Sequence, residues 1–169
     1  VIHVQGPVSR QASVRYYEES WPRLEKYVKE LKDLNPGWHI HLQKTPQENR
    51  FRRLYIGFKM NMEVLKEAGN DVYGIDACHS KHVFAKGMQV HIMVGRSGAN
   101  RNVVLAISLD TTEDNASYEY FARESKKMGL MQLFEVDRGF VKNKPALFSD
   151  GMKGVTQVIQ EWGNSVHHM

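Results

Sequence analysis

The order of strand-forming and helix-forming runs between residues 71 and 162 constrains this chain more than any other feature. Val72, Tyr73 and Ile75 make one strand-like run. Residues 88–95 and 102–109 make two more, joined by the turn sequence Ser97-Gly98-Ala99-Asn100. Connections this short predict an antiparallel meander. A helix is expected next, with Asn115 as its cap, Tyr118, Phe121 and Ala122 facing inward, Met128 as a further inward candidate, and Gly129 as its stop. Leu130 to Val136 reads as another short strand and Asp137-Arg138-Gly139 as a turn. Pro145-Ala146-Leu147-Phe148 reads as a buried strand ending at Ser149-Asp150. A final helix, Met152 to Trp162, carries Val155, Val158, Ile159 and Trp162 inward. In this order the strand ending at Asp150 lies parallel to and beside the first strand, reached by a right-handed crossover through the helix. The fold class predicted is therefore α/β: a mixed sheet of three antiparallel strands and then a parallel one, flanked by helices.

An acid closes each strand of that parallel pair. Asp76 follows Ile75, and Asp150 follows Ser149. A carboxylate near a sheet centre is costly unless it binds a metal or is hydrogen-bonded. Two carboxylates aimed at one spot repel unless a cation lies between them. Acids placed this way hold the metal ions of many phosphoryl-transfer enzymes. The plainer reading of Asp76, a surface acid that closes a strand, stands beside this one.

The first 70 residues read as a helical and hairpin extension that packs on the sheet, because no Gly/Ser-rich linker precedes Asp71. Residues 1–11 have no clear period. Val14, Tyr17, Trp21, Leu24, Tyr27, Val28, Leu31 and Leu34 recur at helical spacing. Pro22 fits a first helical turn capped by Ser20, so a short helix, a break and a helix over about 21–34 are expected. Asn35-Pro36-Gly37 ends the helix. Trp38, Ile40 and Leu42 alternate with His39, His41 and Gln43 as a half-buried strand, and Phe51 to Phe58 makes its antiparallel partner. Residues 59–69 are helix-like. His39 and His41 have a spacing that suits a metal, but no third ligand lies near in sequence, which favours a solvated or sheet-face role. Arg50, Arg52 and Arg53 form a basic cluster, read either as a solvated face or as a phosphate contact.

Composition narrows the function class. The net charge is +4, which permits a nucleic-acid partner without demanding one. The single cysteine, Cys78, excludes an internal disulfide and points toward a reducing compartment. No apolar run reaches membrane-spanning length, and the N-terminus has no signal-peptide pattern. The chain begins at Val1 rather than Met and reads as an excised fragment.

On five motifs the chain resembles the transposases of Mutator-like elements (the MULE type). Leu24 to Gly37 is similar to the family's lead-in helix, and Arg50-Phe51-Arg52-Arg53-Leu54-Tyr55 to its Arg/Lys-Phe strand. Asp76-Ala77-Cys78-His79-Ser80-Lys81 resembles the first-acid motif Asp-Gly-Thr/Cys-His-Leu-Lys. Residues Glu113 to Phe121 resemble Glu-Asn-x-x-Ser-Trp-x-Trp-Phe, and Ser149-Asp150-Gly151-Met152-Lys153-Gly154 resembles the second-acid motif Ser-Asp-x-x-Lys-Gly. The resemblance implies an RNase H-like fold over residues 71–169, with residues 1–70 as the extension. It implies an enzyme of the acidic-triad type, which cuts DNA at element ends and joins the 3′ hydroxyl to target DNA. Asp76 and Asp150 would be catalytic and metal ligands for Mg²⁺ or Mn²⁺. DNA would be the partner and the nucleus the location. His79, Lys81, Lys153, Arg52 and Arg53 are the weaker candidates for nucleic-acid contact; a structural histidine bonding a strand backbone is the other reading of His79.

The chain departs from the family pattern at Ala77, Ser97 and Val104, where Gly, Asp and Pro are usual. In the family a Cys/His element follows the second acid and a third acid, a Glu, lies beyond it. His167-His168-Met169 falls where that element would begin, so the core reads as truncated before the third acid. None of Glu113, Glu124, Glu135 or Glu161 matches that position. This leaves a second expectation, a domesticated or effector-type domain that binds DNA or a host protein without catalysis, with homo-oligomerisation open.

Overall fold

The computed structural model describes residues 23–47, 50–81, 87–112, 114–135, 145–149, 155–162 and 167–168. Helix α1 is described over residues 23–34. The hairpin β1 (Trp38–Lys44) and β2 (Phe51–Phe58) follows, then α2 (Lys59–Ala68). The meander is β3 (Gly69–His79), β4 (Gln89–Ser97) and β5 (Asn102–Asp110). Helix α3 (Asn115–Met128), a 3₁₀ turn (Leu130–Leu133), β6 (Ala146–Phe148), α4 (Val155–Trp162) and β7 (His167–His168) complete the order.

These strands form one sheet in the order β1-β2-β5-β4-β3-β6-β7. β3, β4 and β5 are antiparallel neighbours, and β2 joins them by pairing antiparallel with β5. The β1–β2 hairpin is thus continuous with the meander. β6 lies parallel to β3, with Val72 opposite Ala146, Tyr73 opposite Leu147 and Gly74 opposite Phe148. The predicted mixed sheet, three antiparallel strands followed by a parallel one, is present, with helices against it.

Period-two burial gives the sheet two distinct faces. Tyr55, Tyr73, Ile75 and Met93 point to one side and enter a core with Met62 and Leu65 of α2, Tyr118, Phe121 and Met128 of α3, and Val158 and Trp162 of α4. We call this the helical face. Each large side chain sequestered there contributes about 1.5–3 kcal/mol of transfer free energy. The Trp162 indole also donates to the Ala122 carbonyl at 3.1 Å, which pins α4 to α3. The opposite, outer face carries Val72, Gly74 and Asp76 on β3 and Val90, Ile92 and Val94 on β4; all are half-buried or exposed.

Several expectations are corrected. Leu130–Leu133 is a 3₁₀ turn rather than the start of a strand. Gly129 takes a left-handed conformation at φ 93°, which ends α3 and reverses the chain; Leu130 and Leu133, three apart, then drop into the core together. The cap of α3 is Asp114 rather than Asn115: its carboxylate accepts from the Ser117 N–H at 2.8 Å. The Ser97–Asn100 turn is as expected, with Asn100 at φ 62°. α2 ends at Ala68 with Gly69 as its C-cap, and β3 begins at the same residue. The expected short helix and break before residue 23, the turn at Asp137-Arg138-Gly139, and residues 152–154 of the last helix lie outside the described residues, as do the side chains of Val155 and Ile159.

Candidate metal and nucleic-acid site

Asp76 sits well inside β3, opposite Ile92 of β4, and the strand continues past it to His79. It therefore does not close its strand. Its side chain is exposed on the outer face, so it meets water rather than the low dielectric that the strand position suggested. One carboxylate oxygen, Oδ1, accepts from the Ala77 N–H at 2.8 Å. A hard oxygen donor of this kind suits Mg²⁺ or Mn²⁺. Asp150, the second expected ligand, and Lys153 lie outside the described residues. Among the described residues no three His, Cys, Asp or Glu side chains gather closely enough to hold an ion.

The expected phosphate contacts divide. His79 and Lys81 are exposed at the carboxyl end of β3. Arg52 is half-buried near the start of β2, on the face opposite Arg53. Strand directions put that start at the same end of the sheet as the end of β3. Arg53 is a correction. It is 4% exposed, not part of a solvated cluster. Its Nε meets Asp110 Oδ2, its Nη2 is 3.6 Å from Asp114 Oδ1, and its guanidinium lies 5.4 Å from the Tyr120 ring centre. Arg53 and Asp110 are register partners in β2 and β5. A guanidinium taken up in this way is a structural group.

Around Arg53 lies a polar cluster that sequence reasoning missed. Gln89, His91, Ser108 and Asp110 are all at most 2% exposed, on the helical face. Ser108 Oγ is 3.2 Å from His91 Nδ1, and His91 Nε2 has no hydrogen-bond partner among the described residues. The imidazole packs edge-on to Tyr118 at 4.5 Å and beside Phe121 at 5.9 Å. Burial, aided by the Arg53 charge, pushes His91 down to about 4. Burial also raises the Asp110 carboxyl, against the opposing pull of Arg53 and the Thr112 N–H.

A second missed group ties β1 to α3. Glu124 is 1% exposed, and its carboxylate meets His39 Nε2 at 3.1 Å and Lys127 Nζ at 2.8 Å, with His41 Nδ1 3.8 Å away. Burial alone would raise Glu124, but the hydrogen bonds from Lys127 and His39 and the charges of His41 and Lys127 outweigh it and hold the carboxyl below its ordinary range. The Tyr120 hydroxyl donates to the His41 carbonyl at 3.0 Å, so His41 Nδ1–H is the donor in its own 3.0 Å contact with that hydroxyl. Burial lowers His41; Glu124 opposes this, and Lys127, His39 and Lys32 add to it. Of the solvated and sheet-face roles expected for the two histidines, the structure gives the sheet-face one, and it adds an acid, Glu124, that is distant in sequence. The available signal was the inward stripe Ser117, Phe121, Glu124 and Met128 at helical spacing. Glu124 is on the helical face and Asp76 on the outer face, so the sheet itself separates them.

In electrostatic terms the outer face near Asp76 offers one open carboxylate with cations at the same end of the sheet, whereas the buried acids on the helical face are already neutralised by protein partners. No helix among the described residues is long and apolar enough to cross a membrane. No protein-family model matches this chain, and no curated protein matches it.

Proposed function

We propose that this chain is the catalytic domain of a MULE-type DNA transposase with an RNase H-like core. Asp76 and Asp150 hold Mg²⁺ or Mn²⁺, and the parent protein, acting in the nucleus, cuts and joins DNA. One observation carries the reading. β6 pairs parallel with β3 at a constant offset, 72 with 146 through 74 with 148. Asp76 and Asp150 are separated by that same interval, from 76 to 150. The strand order from β5 through β7 and the motif resemblance support the same reading. When bound, the ion supplies Lewis-acid activation of the attacking hydroxyl and stabilises the leaving oxygen. The chain's own part is to present carboxylate oxygens from neighbouring strands and to meet the DNA backbone with His79, Lys81, Lys153 and Arg52.

The test is thermal unfolding with and without divalent ions. At 100 times its dissociation constant an ion that binds only the folded state adds about 2.7 kcal/mol, roughly 5–10 °C for a domain of this size. Wild type should gain that increment from Mg²⁺ or Mn²⁺, and Asp76→Asn and Asp150→Asn should each lose it. An unchanged midpoint for wild type at millimolar ion overturns the metal reading. DNA binding that persists in that case favours the non-catalytic binding domain.

A further inference from the structure

The outer face carries a groove one pleat from Asp76. Val72, Gly74, Val94, Arg96, Asn102 and Phe148 line a space of about 180 Å³. Its floor is the row Phe148–Gly74–Val94, set by the pairing of β6, β3 and β4. Gly74 is open there. An added Cβ would meet only Val94 Cγ2 at 3.6 Å, an ordinary contact, so the glycine leaves room rather than relieving a clash. Val72 and Phe148 are 36% and 42% exposed, which is unusual for large apolar side chains in adjacent strands. Arg96 closes one end. Its Nη1 donates to Asn100 O at 3.1 Å and to Asn102 Oδ1 at 2.9 Å, which fixes the guanidinium plane. Arg101 is exposed beside it and adds positive charge to that end.

The volume is below the roughly 300–1,000 Å³ of pockets that take drug-sized ligands or cofactors. It suits one flat heterocycle. An exposed aromatic ring, aliphatic walls and an oriented guanidinium are the surfaces on which nucleobases stack. Gly74 and Asp76 are two residues apart on one face, about 7 Å along the strand. A strand whose backbone passes Asp76 therefore has a base within reach of the groove.

We propose that this groove holds one unpaired nucleobase of a DNA strand that runs past Asp76. The proposal rests on the DNA reading above and makes it more specific. A base inside a duplex must first be unstacked and unpaired, so the groove selects single-stranded, mismatched or melted DNA over intact duplex.

The experiment measures binding of the full chain to a set of short single strands in low salt. Each strand carries an abasic site at a different position, and the intact strand and its duplex serve as references. An abasic site at one position should weaken binding about 5- to 150-fold relative to the intact strand. Gly74→Val, which fills the groove, and Phe148→Ala should each abolish that difference and leave the salt-dependent backbone affinity in place. Gly74→Ala, whose Cβ fits without a clash, and Phe148→Leu keep the test informative if either larger change unfolds the protein. A 2-aminopurine at the sensitive position should change its fluorescence on binding to wild type but not to the filled variant. Single strands that bind with no position sensitive to base removal overturn the proposal and leave the DNA reading standing. Failure to bind any DNA, duplex included, overturns both. A wild-type dimer seen by sedimentation and dissolved by Phe148→Ala assigns the groove to a second copy of the chain and also overturns the proposal.

Discussion

Acid should weaken this fold through one side chain, His91. The imidazole is fully buried between Tyr118 and Phe121, with Arg53 adding repulsion to any proton it takes up. In the folded protein it titrates at about 4, against 6.5 for a free histidine. The unfolded chain therefore binds a proton at a higher pH than the folded one. Stability rises with pH wherever the unfolded state holds more protons. The His91 contribution is thus fully present above 6.5, is lost as pH falls from 6.5 toward 4, and stops changing below that. At about 1.36 kcal/mol per pH unit the window amounts to about 3 kcal/mol, a large part of the 5–15 kcal/mol typical of a domain. Urea unfolding at pH 7.0, 6.0, 5.0 and 4.5 measures it. Staying at or above 4.5 leaves out the loss from Glu124, whose lowered pKa acts only at more acid pH. His41 is also lowered and adds to the slope with the same sign. Asp110 is raised, so its contribution runs the other way. His91→Asn, which keeps a polar atom near Ser108 Oγ, isolates the histidine. The variant should be less stable at pH 7, and the gap to wild type should close by about 2 kcal/mol as pH falls to 4.5. A gap that stays constant across the range would refute the reasoning, since the buried imidazole would then not be the group resisting protonation.

Three further outcomes follow from the same geometry. Glu124→Gln should cost about 1–3 kcal/mol in urea unfolding, because it removes the charged acceptor of Lys127 and His39, whose freed side chains can rehydrate in part. Gly95→Ala should cost about 1–3 kcal/mol by overpacking, since its Cβ would come 2.3 Å from Leu65 Cδ1 and 3.1 Å from the Tyr73 ring, both buried; a melting point equal to wild type would show that the core yields there. Asp114→Ala should cost about 1 kcal/mol through loss of the α3 cap, with helical circular dichroism retained in the folded state.

The hairpin and the meander are legible in the sequence, because alternation at Trp38–Gln43 and the turn at Ser97–Asn100 are local signals. The parallel pairing of β6 with β3 was legible too, since few topologies accept that element order. Leu130–Leu133 reads as a strand and folds as a 3₁₀ turn because a short apolar run has no period long enough to separate the two. Arg53 looked like its neighbours Arg50 and Arg52, and nothing nearby in sequence signals that Asp110 waits for it across the sheet.

Apart from Leu130–Leu133, the sequence by itself determined which of the described segments become strands and helices, because those patterns repeat over two to four residues. It also set the interval between Asp76 and Asp150 and the cap and stop of α3 to within one residue. Only the tertiary structure decided the fate of each polar group. Arg53 and Asp110 are separated by 57 positions, from 53 to 110, and become a buried pair only because β2 docks beside β5. His39, His41 and Glu124 meet because α3 packs over the edge hairpin. Asp76 stays exposed while Tyr73 and Ile75 are buried because α2, α3 and α4 pack on the other face of its strand. Charge neutralisation and desolvation depend on neighbours brought together by folding, and no local pattern encodes them.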